Sequence, residues 1–416
     1  MKPFPKTDFM HSKDDPGEPG AASRIQDYQV WGEFGEVNPS ISDGSTFTFL
    51  DPEKLKAIFH EPVPGCHLYS RLESPSTRVL GQALARLEGT PAAHATASGM
   101  AAIATTLLAI CEKGSIIVSD RLVYGGTHAL FRNLFPRYGI TTRFVDCMDP
   151  DTVRSALQGG ARVLYVESLT NPLLRTPDLA LLAELAHAEG ARLVVDNTFA
   201  PMIFSPRRQG ADIVIHSLTK FINGMSDCVA GVICADQAFI DELSDASTGT
   251  CMLFGPTLDS ARAASIYKHL HTLPVRMIQH GQNARMWAER LQAHKLPVCY
   301  PGLPDYPDRA IFARQADPRM GFGGMLTIDT GSEERSQALM VALQAAQVGF
   351  LAVSLGYYRT LFSPPGSSTS SEIPEDERLA TGLTPGLVRF SVGLDHDIER
   401  SWDRFERCLR QVNLVT

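Results

Sequence analysis

Two stretches decide the fold: Arg192-Leu-Val-Val-Asp196-Asn197-Thr198, and Ala211-Asp-Ile-Val-Ile215 running directly into His216-Ser217-Leu218-Thr219-Lys220. Each is a short, continuously apolar run that ends in side chains able to do chemistry. Strand-like runs also occur at Ser115–Val118, Arg143–Val145 and Arg162–Val166, and the two opening stretches contribute Arg192–Val195 and Ile213–Ile215. Helical periodicity covers Thr77–Glu88, Gly99–Cys111 and Asp178–Ala188, the last closed by Gly190 as a C-cap. Apolar strands separated by helices predict a mainly parallel sheet covered on both faces. In such sheets ligands sit at the carboxyl ends of the strands, which is where the search for chemistry belongs.

Outward from this centre, a long helical stretch is expected from Leu258 to about Ala293, leading to a smaller C-terminal α/β unit. Its predicted strands are Gly324–Thr330 and Val388–Val392, and its helices Ser332–Gln347 and Asp397–Val412. Ser363 to Glu377, rich in Ser, Pro, Gly and acid, reads by itself as a solvated loop. Before the sheet region, the first sixty residues read as an arm: Lys2–Ser23 is polar with a mobile start, and Pro52–Phe59 is its one helical piece.

The 416 residues are 44% hydrophobic and 20% charged, an ordinary globular composition that argues against a disordered or fibrous chain. The longest nearly unbroken apolar stretch, Met100–Cys111, is too short to span a bilayer, and Met1–Gly20 lacks the apolar segment of a secretory signal. With a net charge of −8 and no basic run, the chain lacks the footprint of a nucleic-acid binder. The eight cysteines form no CxxC pair or ligand spacing, and read as reduced, mostly buried thiols of a cytoplasmic protein. His269, His271 and His280 lack an Asp, Glu or Cys at matching spacing, so they read as ordinary surface histidines and no metal is expected.

Three features lie where ligand chemistry is expected: Asp196 at one strand end, Ser217 to Lys220 at another, and Ala97-Ser98-Gly99-Met100 opening a helix. These parts suit pyridoxal phosphate (PLP). Lys220 supplies the amine for a Schiff base, and Asp196 an anion for the pyridine nitrogen. The helix start at Gly99-Met100 supplies unpaired N–H donors and a dipole for the phosphate, with Ser217 and Thr219 adding hydroxyls. Ser217-Leu-Thr-Lys220 also fits an S-x-x-K nucleophile motif, but Ser226-Asp227 is followed by Cys228 and no K-T-G occurs. Neither G-x-G-x-x-G nor a Walker A loop is present; Gly321-Phe-Gly-Gly-Met lacks the third glycine in register.

The chain resembles the cysteine/methionine-metabolism family of PLP enzymes, the fold-type I group of cystathionine γ-synthase, cystathionine γ-lyase and methionine γ-lyase. The resemblance covers roughly residues 36 to 412. It rests on Tyr69-Ser-Arg71, Ala97-Ser-Gly-Met-Ala-Ala-Ile103, Tyr124-Gly-Gly-Thr127, Val195-Asp-Asn-Thr198, His216-Ser-Leu-Thr-Lys220, Ser226-Asp227, Thr272-Leu-Pro-Val-Arg-Met277, Ser354-Leu-Gly356 and Val388-Arg-Phe-Ser-Val-Gly393. Ser354-Leu-Gly-Tyr-Tyr, continued by Gly366-Ser-Ser-Thr-Ser-Ser-Glu372, is most similar to the plant type of methionine γ-lyase.

The resemblance implies an α/β fold with a large, mainly parallel, seven-stranded-type sheet domain and a smaller α/β C-terminal domain. Residues 1–70 would be an arm contacting a neighbouring subunit, 71–265 the PLP-binding domain and 266–416 the C-terminal domain, in a homotetramer with shared active sites. It makes Lys220 the Schiff-base lysine and proton shuttle, Asp196 the partner of the pyridinium, and Tyr124 a ring-stacking acid/base at the γ-substituent. Gly99, Met100, Ser217 and Thr219 would cradle the phosphate, with Tyr69 and Arg71 reaching the phosphate of a neighbouring subunit. Asn171 would contact the cofactor's phenolic oxygen, while Arg389 and Ser354 would take the substrate α-carboxylate, which a planar guanidinium binds through two parallel hydrogen bonds.

The implied reaction is γ-elimination from an L-2-amino acid, with methionine giving methanethiol, 2-oxobutanoate and ammonia. Canavanine cleavage to homoserine, and a synthase joining an activated homoserine to cysteine or sulfide, share the same early steps. Four departures from the family pattern bear on the substrate. Ser74-Pro75-Ser76 replaces Asn-Pro-Thr near the entrance, and Gly126 stands where bacterial methionine γ-lyases carry a cysteine. Arg359 replaces the usual glutamate, as either a solvated residue or a changed preference for the distal end of the substrate. The segment Ser363–Glu377 replaces a histidine-containing one and is expected near the site mouth.

Overall fold

The computed structural model describes residues 20–59, 63 and 65–416. Residues 2–19 of the segment read as a polar arm with a mobile start, and residues 60–62 and 64, lie outside the described residues. Within the rest of the arm, the predicted helix is Pro52–Ala57, capped by the Asp51 side chain on the Glu53 N–H.

The large sheet has seven strands: β1 (Ala92–Thr96), β2 (Ile116–Asp120), β3 (Thr141–Val145), β4 (Ala161–Glu167), β5 (Arg192–Asp196), β6 (Ile213–Ser217) and β7 (Gly231–Ala235). Their spatial order is β1-β7-β6-β5-β4-β2-β3, and the neighbours from β6 to β3 are all parallel. Only β7 runs against its neighbours, β6 and β1. Alternate residues of one strand feed opposite cores, because successive side chains point to opposite faces. Val163, Tyr165 and Val194 pack with Ile103 and Leu107 of the helix Gly99–Ile110 on one face. Leu164, Val166 and Val195 pack with Leu80 and Leu84 of the helix Pro75–Glu88 on the other. That second helix starts on a capping box, in which the Ser74 and Thr77 side chains each take the other's main-chain N–H, with Pro75 in its first turn.

The parallel register sets the site. Glu167, the last residue of β4, stands opposite Asp196, the last of β5, and β6 ends beside them at Ser217. Two carboxylates, and the approach to Lys220, therefore emerge together at one edge.

The stretch expected as one helix from Leu258 to Ala293 is two, Ser260–Leu270 and Leu273–Ala293, broken at His271-Thr272. Pro274 in the first turn of the second helix has no N–H to continue the ladder of the first. The expected division at 265/266 falls inside the first of these helices, which packs through Ala263, Ile266 and Leu270 into the core of the large sheet.

The C-terminal unit holds a second sheet of β8 (Val298–Cys299), β9 (Met325–Asp329), β10 (Phe350–Leu351), β11 (Leu361–Ser363) and β12 (Leu387–Ser391), ordered β10-β11-β12-β9-β8. The helices Glu333–Ala345 and Ile398–Gln411 cover it around a core of Trp287, Phe362, Phe390 and Phe405. All eight cysteines are free, and five of them are buried. No helix among the described residues is long and apolar enough to cross a membrane.

Candidate active site

Lys220 follows β6 in a tight turn. Its Nζ donates to the Ser354 hydroxyl at 3.1 Å. The Ser354-Leu-Gly356 segment reaches the lysine because Gly356 lies directly on its backbone. A Cβ at Gly356 would fall 2.6 Å from the Phe221 Cα, and its φ of +76° favours glycine on its own account. Behind the turn, the buried Arg276 guanidinium donates to the carbonyls of Phe221 and Ile222. Burial, and then the positive charge of Arg389, lower the Lys220 amine to about 8.

Asp196 lies at the end of β5, where its Oδ1 accepts the Thr198 N–H at 2.9 Å. The Tyr165 hydroxyl approaches Oδ2 at 3.4 Å. Burial pushes the carboxyl up, while the bonds from Thr198 and the nearby His216 pull it down. His216 itself is paired with Glu88 at 2.7 Å, both fully buried, and Asn197 donates to the same carboxylate.

Thr198 also ties the next strand in, its hydroxyl accepting the Ser217 N–H at 2.8 Å. Against Ser217 stands the start of the helix Gly99–Ile110; a Cβ on Gly99 would lie 2.8 Å from the Ser217 Cβ. Ser98 caps this helix through the Ala101 N–H, and the Gly99 and Met100 N–H groups precede the first intrahelical donor, the Ala102 N–H bonded to the Ser98 carbonyl. Thr219 is partly committed elsewhere, since its hydroxyl accepts the Ala230 N–H at 3.1 Å.

Arg389 reaches this edge from the centre of β12. Only 2% exposed, it donates from Nη1 to Asn171 Oδ1 at 2.7 Å and lies 5.8 Å from the Phe199 ring centroid. Ser363, opposite Arg389 in the β11–β12 register, accepts from Nη2 at 3.5 Å. Burial lowers the guanidinium to about 10, against the raising effects of Glu167 and Tyr124. Tyr124 is 40% exposed, and its main-chain N–H donates to Glu167 Oε1 at 2.7 Å.

The segment 363–377 is folded, with a short 3₁₀ turn at Pro365–Ser367 and the start of the helix Glu375–Ala380. Its Thr369 carbonyl accepts the Gly125 N–H at 3.1 Å, and Glu377 pairs with Arg132 at 2.8 Å, so it lies against the wall that carries Tyr124. Arg359 is exposed, with its guanidinium 5.8 Å and 5.9 Å from the Phe350 and Tyr358 ring centroids.

Tyr69 bridges to Thr46, and the Arg71 guanidinium lies 5.7 Å from the Tyr69 ring centroid. The Arg71 carbonyl accepts the Thr257 hydroxyl, and the Arg71 side chain lies beside Gly255. The three histidines have separate partners. His269 meets Asn223 and His271 stacks edge-on with Tyr267. His280, expected on the surface, is fully buried with Nδ1 bonded to the Val392 carbonyl, because the helix Leu273–Ala293 turns that face into the core. Among the described residues no group of His, Cys, Asp and Glu could hold a metal ion.

Sequence reading missed Glu167, Tyr165 and Phe199. Glu167 carried the same signal as Asp196, a carboxylate at the carboxyl end of an apolar strand, and was passed over because the strand was ended at Val166. Phe199 offered no local signal, and Arg276 stood out only as part of the Thr272–Met277 motif, with no role attached.

The donor set fits pyridoxal phosphate. An amine of lowered basicity, a carboxylate at a strand end, and a helix start seated on a serine converge at one sheet edge. Comparison with known proteins agrees. Residues 23–402 match the family described as Cys/Met metabolism PLP-dependent enzyme. The chain is similar to the methionine γ-lyase of Arabidopsis thaliana, 43% identical over 383 residues, 91% of this chain and 87% of the relative. It is 37% identical to the cystathionine γ-lyase of Bacillus subtilis over 346 residues, 82% and 88% of the two chains. Cystathionine γ-synthase from Xanthomonas oryzae pv. oryzae, solved in complex with cystathionine, superimposes with a TM-score of 0.85 at 31% identity, covering 96% of this chain and all of that one.

Proposed function

Because the chain belongs to the Cys/Met metabolism family of PLP-dependent enzymes, we propose that it is a γ-lyase that converts L-methionine and water to methanethiol, 2-oxobutanoate and ammonia. The observation that carries this reading is the convergence of Lys220, through Ser354, with the Arg389–Asn171 pair at the sheet edge where Asp196 emerges. An amino-acid substrate needs those three chemistries together: an exchangeable amine, a carboxylate receiver and a counter-ion for the cofactor ring.

Lys220 would hold the cofactor's aldehyde carbon through its amine. Asp196 would face the pyridine nitrogen, and Gly99, Met100, Ser217 and Thr219 the phosphate. When bound, the cofactor supplies an electron sink for negative charge at the carbons next to the amine. Arg389 fixes the substrate α-carboxylate with its planar fork, Ser354 adds a hydroxyl, and Asn171 holds the guanidinium in place. The Lys220 amine would take the substrate's α-proton; a base with a pKa near 8 keeps a useful neutral fraction around neutral pH. Tyr124 would lie against the cofactor and deliver a proton to the departing γ-substituent.

Tyr69 and Arg71 would serve the phosphate of a neighbouring subunit. The assembly proposed is a homotetramer of two such dimers in the cytoplasm. Residues 1–70 would form the arm, residues 71–265 the PLP-binding domain and residues 266–416 the C-terminal domain. Arg359, stacked on two exposed rings, is assigned to the solvated surface.

Product analysis tests the reaction. Methanethiol and 2-oxobutanoate from methionine are expected. Homoserine from canavanine with methionine untouched, or cystathionine from an activated homoserine plus cysteine as the only product, would replace the proposal with the C–O lyase or the synthase.

A further inference from the structure

Glu167 is 5% exposed, and each of its carboxylate oxygens accepts a main-chain N–H. Oε1 takes that of Tyr124 and Oε2 that of Asn171, both at 2.7 Å. The two donors belong to different segments. Tyr124 lies at the start of the short helix Gly125–Ala129, four residues past β2. Asn171 lies four residues past β4, just before Pro172. Asn171 then holds Arg389, which comes from the other sheet. A single side chain thus fixes the backbone of the aromatic wall and of the residue that orients the guanidinium.

We propose that Glu167 is a positioning residue that locks Tyr124 and the Asn171–Arg389 pair into one rigid unit, so that proton delivery to the leaving group and capture of the substrate carboxylate depend on the same carboxylate. The inference rests on the roles given above to Tyr124 and Arg389. Two N–H groups, one on each oxygen, suit the ionised carboxylate, which has acceptor sites on both. The amide of a Glu167→Gln variant has one acceptor and would set an NH2 against a donor on whichever side it faces. Burial and then the neighbouring Asp196 push the Glu167 carboxyl well above its usual range, and the two N–H groups pull against that shift. Both oxygens are committed to main-chain donors from different segments, which a side chain held only for packing would not need.

The test compares wild type, E167Q and R389K, each loaded with pyridoxal phosphate and checked for cofactor content and melting temperature. Steady-state kinetics on methionine would be measured beside the affinity for L-norvaline, an amino acid with no γ leaving group, followed by the cofactor absorbance. E167Q is expected to lower kcat about 30-fold and to weaken norvaline about 10-fold, since both interactions lose their anchor. Wild-type kcat and norvaline affinity in folded, cofactor-loaded E167Q would overturn the proposal. R389K separates the two levels: if it leaves norvaline binding unchanged, the carboxylate role of Arg389 fails, whatever E167Q does. Should E167Q not accumulate as folded protein, Glu167→Asp keeps the charge but reaches only one N–H at a time. It is expected to lose kcat and norvaline affinity in the same direction, and unchanged values for both would equally overturn the proposal.

Discussion

The two walls of the candidate site are built differently. On the Lys220 and Asp196 side, every residue is a few positions from the end of a parallel strand, and strand register places it: Glu167 opposite Asp196, with Ser217 ending the adjacent strand. On the Tyr124 and Arg389 side, placement comes from contacts between distant parts of the chain. Thr369 is bonded to Gly125, Asn171 to Arg389, and Glu377 to Arg132. The first wall is rigid because a sheet buried on both faces holds it. The second is assembled from pieces, and there sequence change can alter the substrate without disturbing the fold.

Breaking the first wall should have the largest effect. Lys220→Ala is expected to abolish methionine turnover while circular dichroism and melting temperature stay near wild type, because the lysine is partly exposed and contributes little to the core. Retained turnover would remove Lys220 from the mechanism.

A lesser but still large loss is expected at the joint between the walls. Gly125→Ala would place a Cβ against the Thr369 carbonyl and the Glu372 carboxylate, closer than real atoms approach. Forced displacement of this kind costs about 1–3 kcal/mol. The segment 363–377 should lift, raising KM for methionine more than it lowers kcat, and limited proteolysis should begin within it. An unchanged KM and proteolytic pattern would mean that this segment does not border the site.

The contrast can be sharpened through pH. With its folded-state pKa lowered to about 8, the Lys220 amine is neutral above that value and protonated below it. In the apo-protein its reaction with an amine reagent should rise with pH through about 8 and level off above. Arg389→Gln removes a positive charge that lowers this pKa, so the midpoint should move upward. The move should be partial because burial, the larger cause, remains. A midpoint near 10 in the wild type would contradict the desolvated lysine.

The smallest effect belongs to the exposed latch. Glu377→Gln breaks a solvent-accessible ion pair with Arg132, worth about 0–1 kcal/mol. Melting should scarcely change, and any loss of activity should fade at high salt. A large, salt-independent loss would show that the latch is part of the catalytic wall.

Legibility in the sequence followed the same divide. Strands β2 and β4 to β6 were legible because a run buried on both faces is continuously apolar, and β3, at the partly exposed sheet edge, only at its Arg143–Val145 end. Asp196 and Lys220 were legible because they lie at or just past the ends of such runs. β1 was not, since Ala92-Ala-His-Ala-Thr96 carries no β-branched residue before Thr96. The short strands β8, β10 and β11 have two or three residues each, too few to show a period. The resemblance supplied Arg389, Tyr124 and Asn171, but nothing local in the sequence announced that Arg389 would bond to a residue 218 positions away. Glu167 was legible by the strand-end rule and was missed by one residue.

The central claim is that the strand-end lysine holds the cofactor. Borohydride reduction of the PLP-loaded protein, followed by digestion and peptide mass spectrometry, tests it most directly. The account predicts a phosphopyridoxyl group on Lys220 in the wild type and on no peptide of Lys220→Ala. The same group on another lysine of the wild type, or labelling that survives Lys220→Ala, would contradict it.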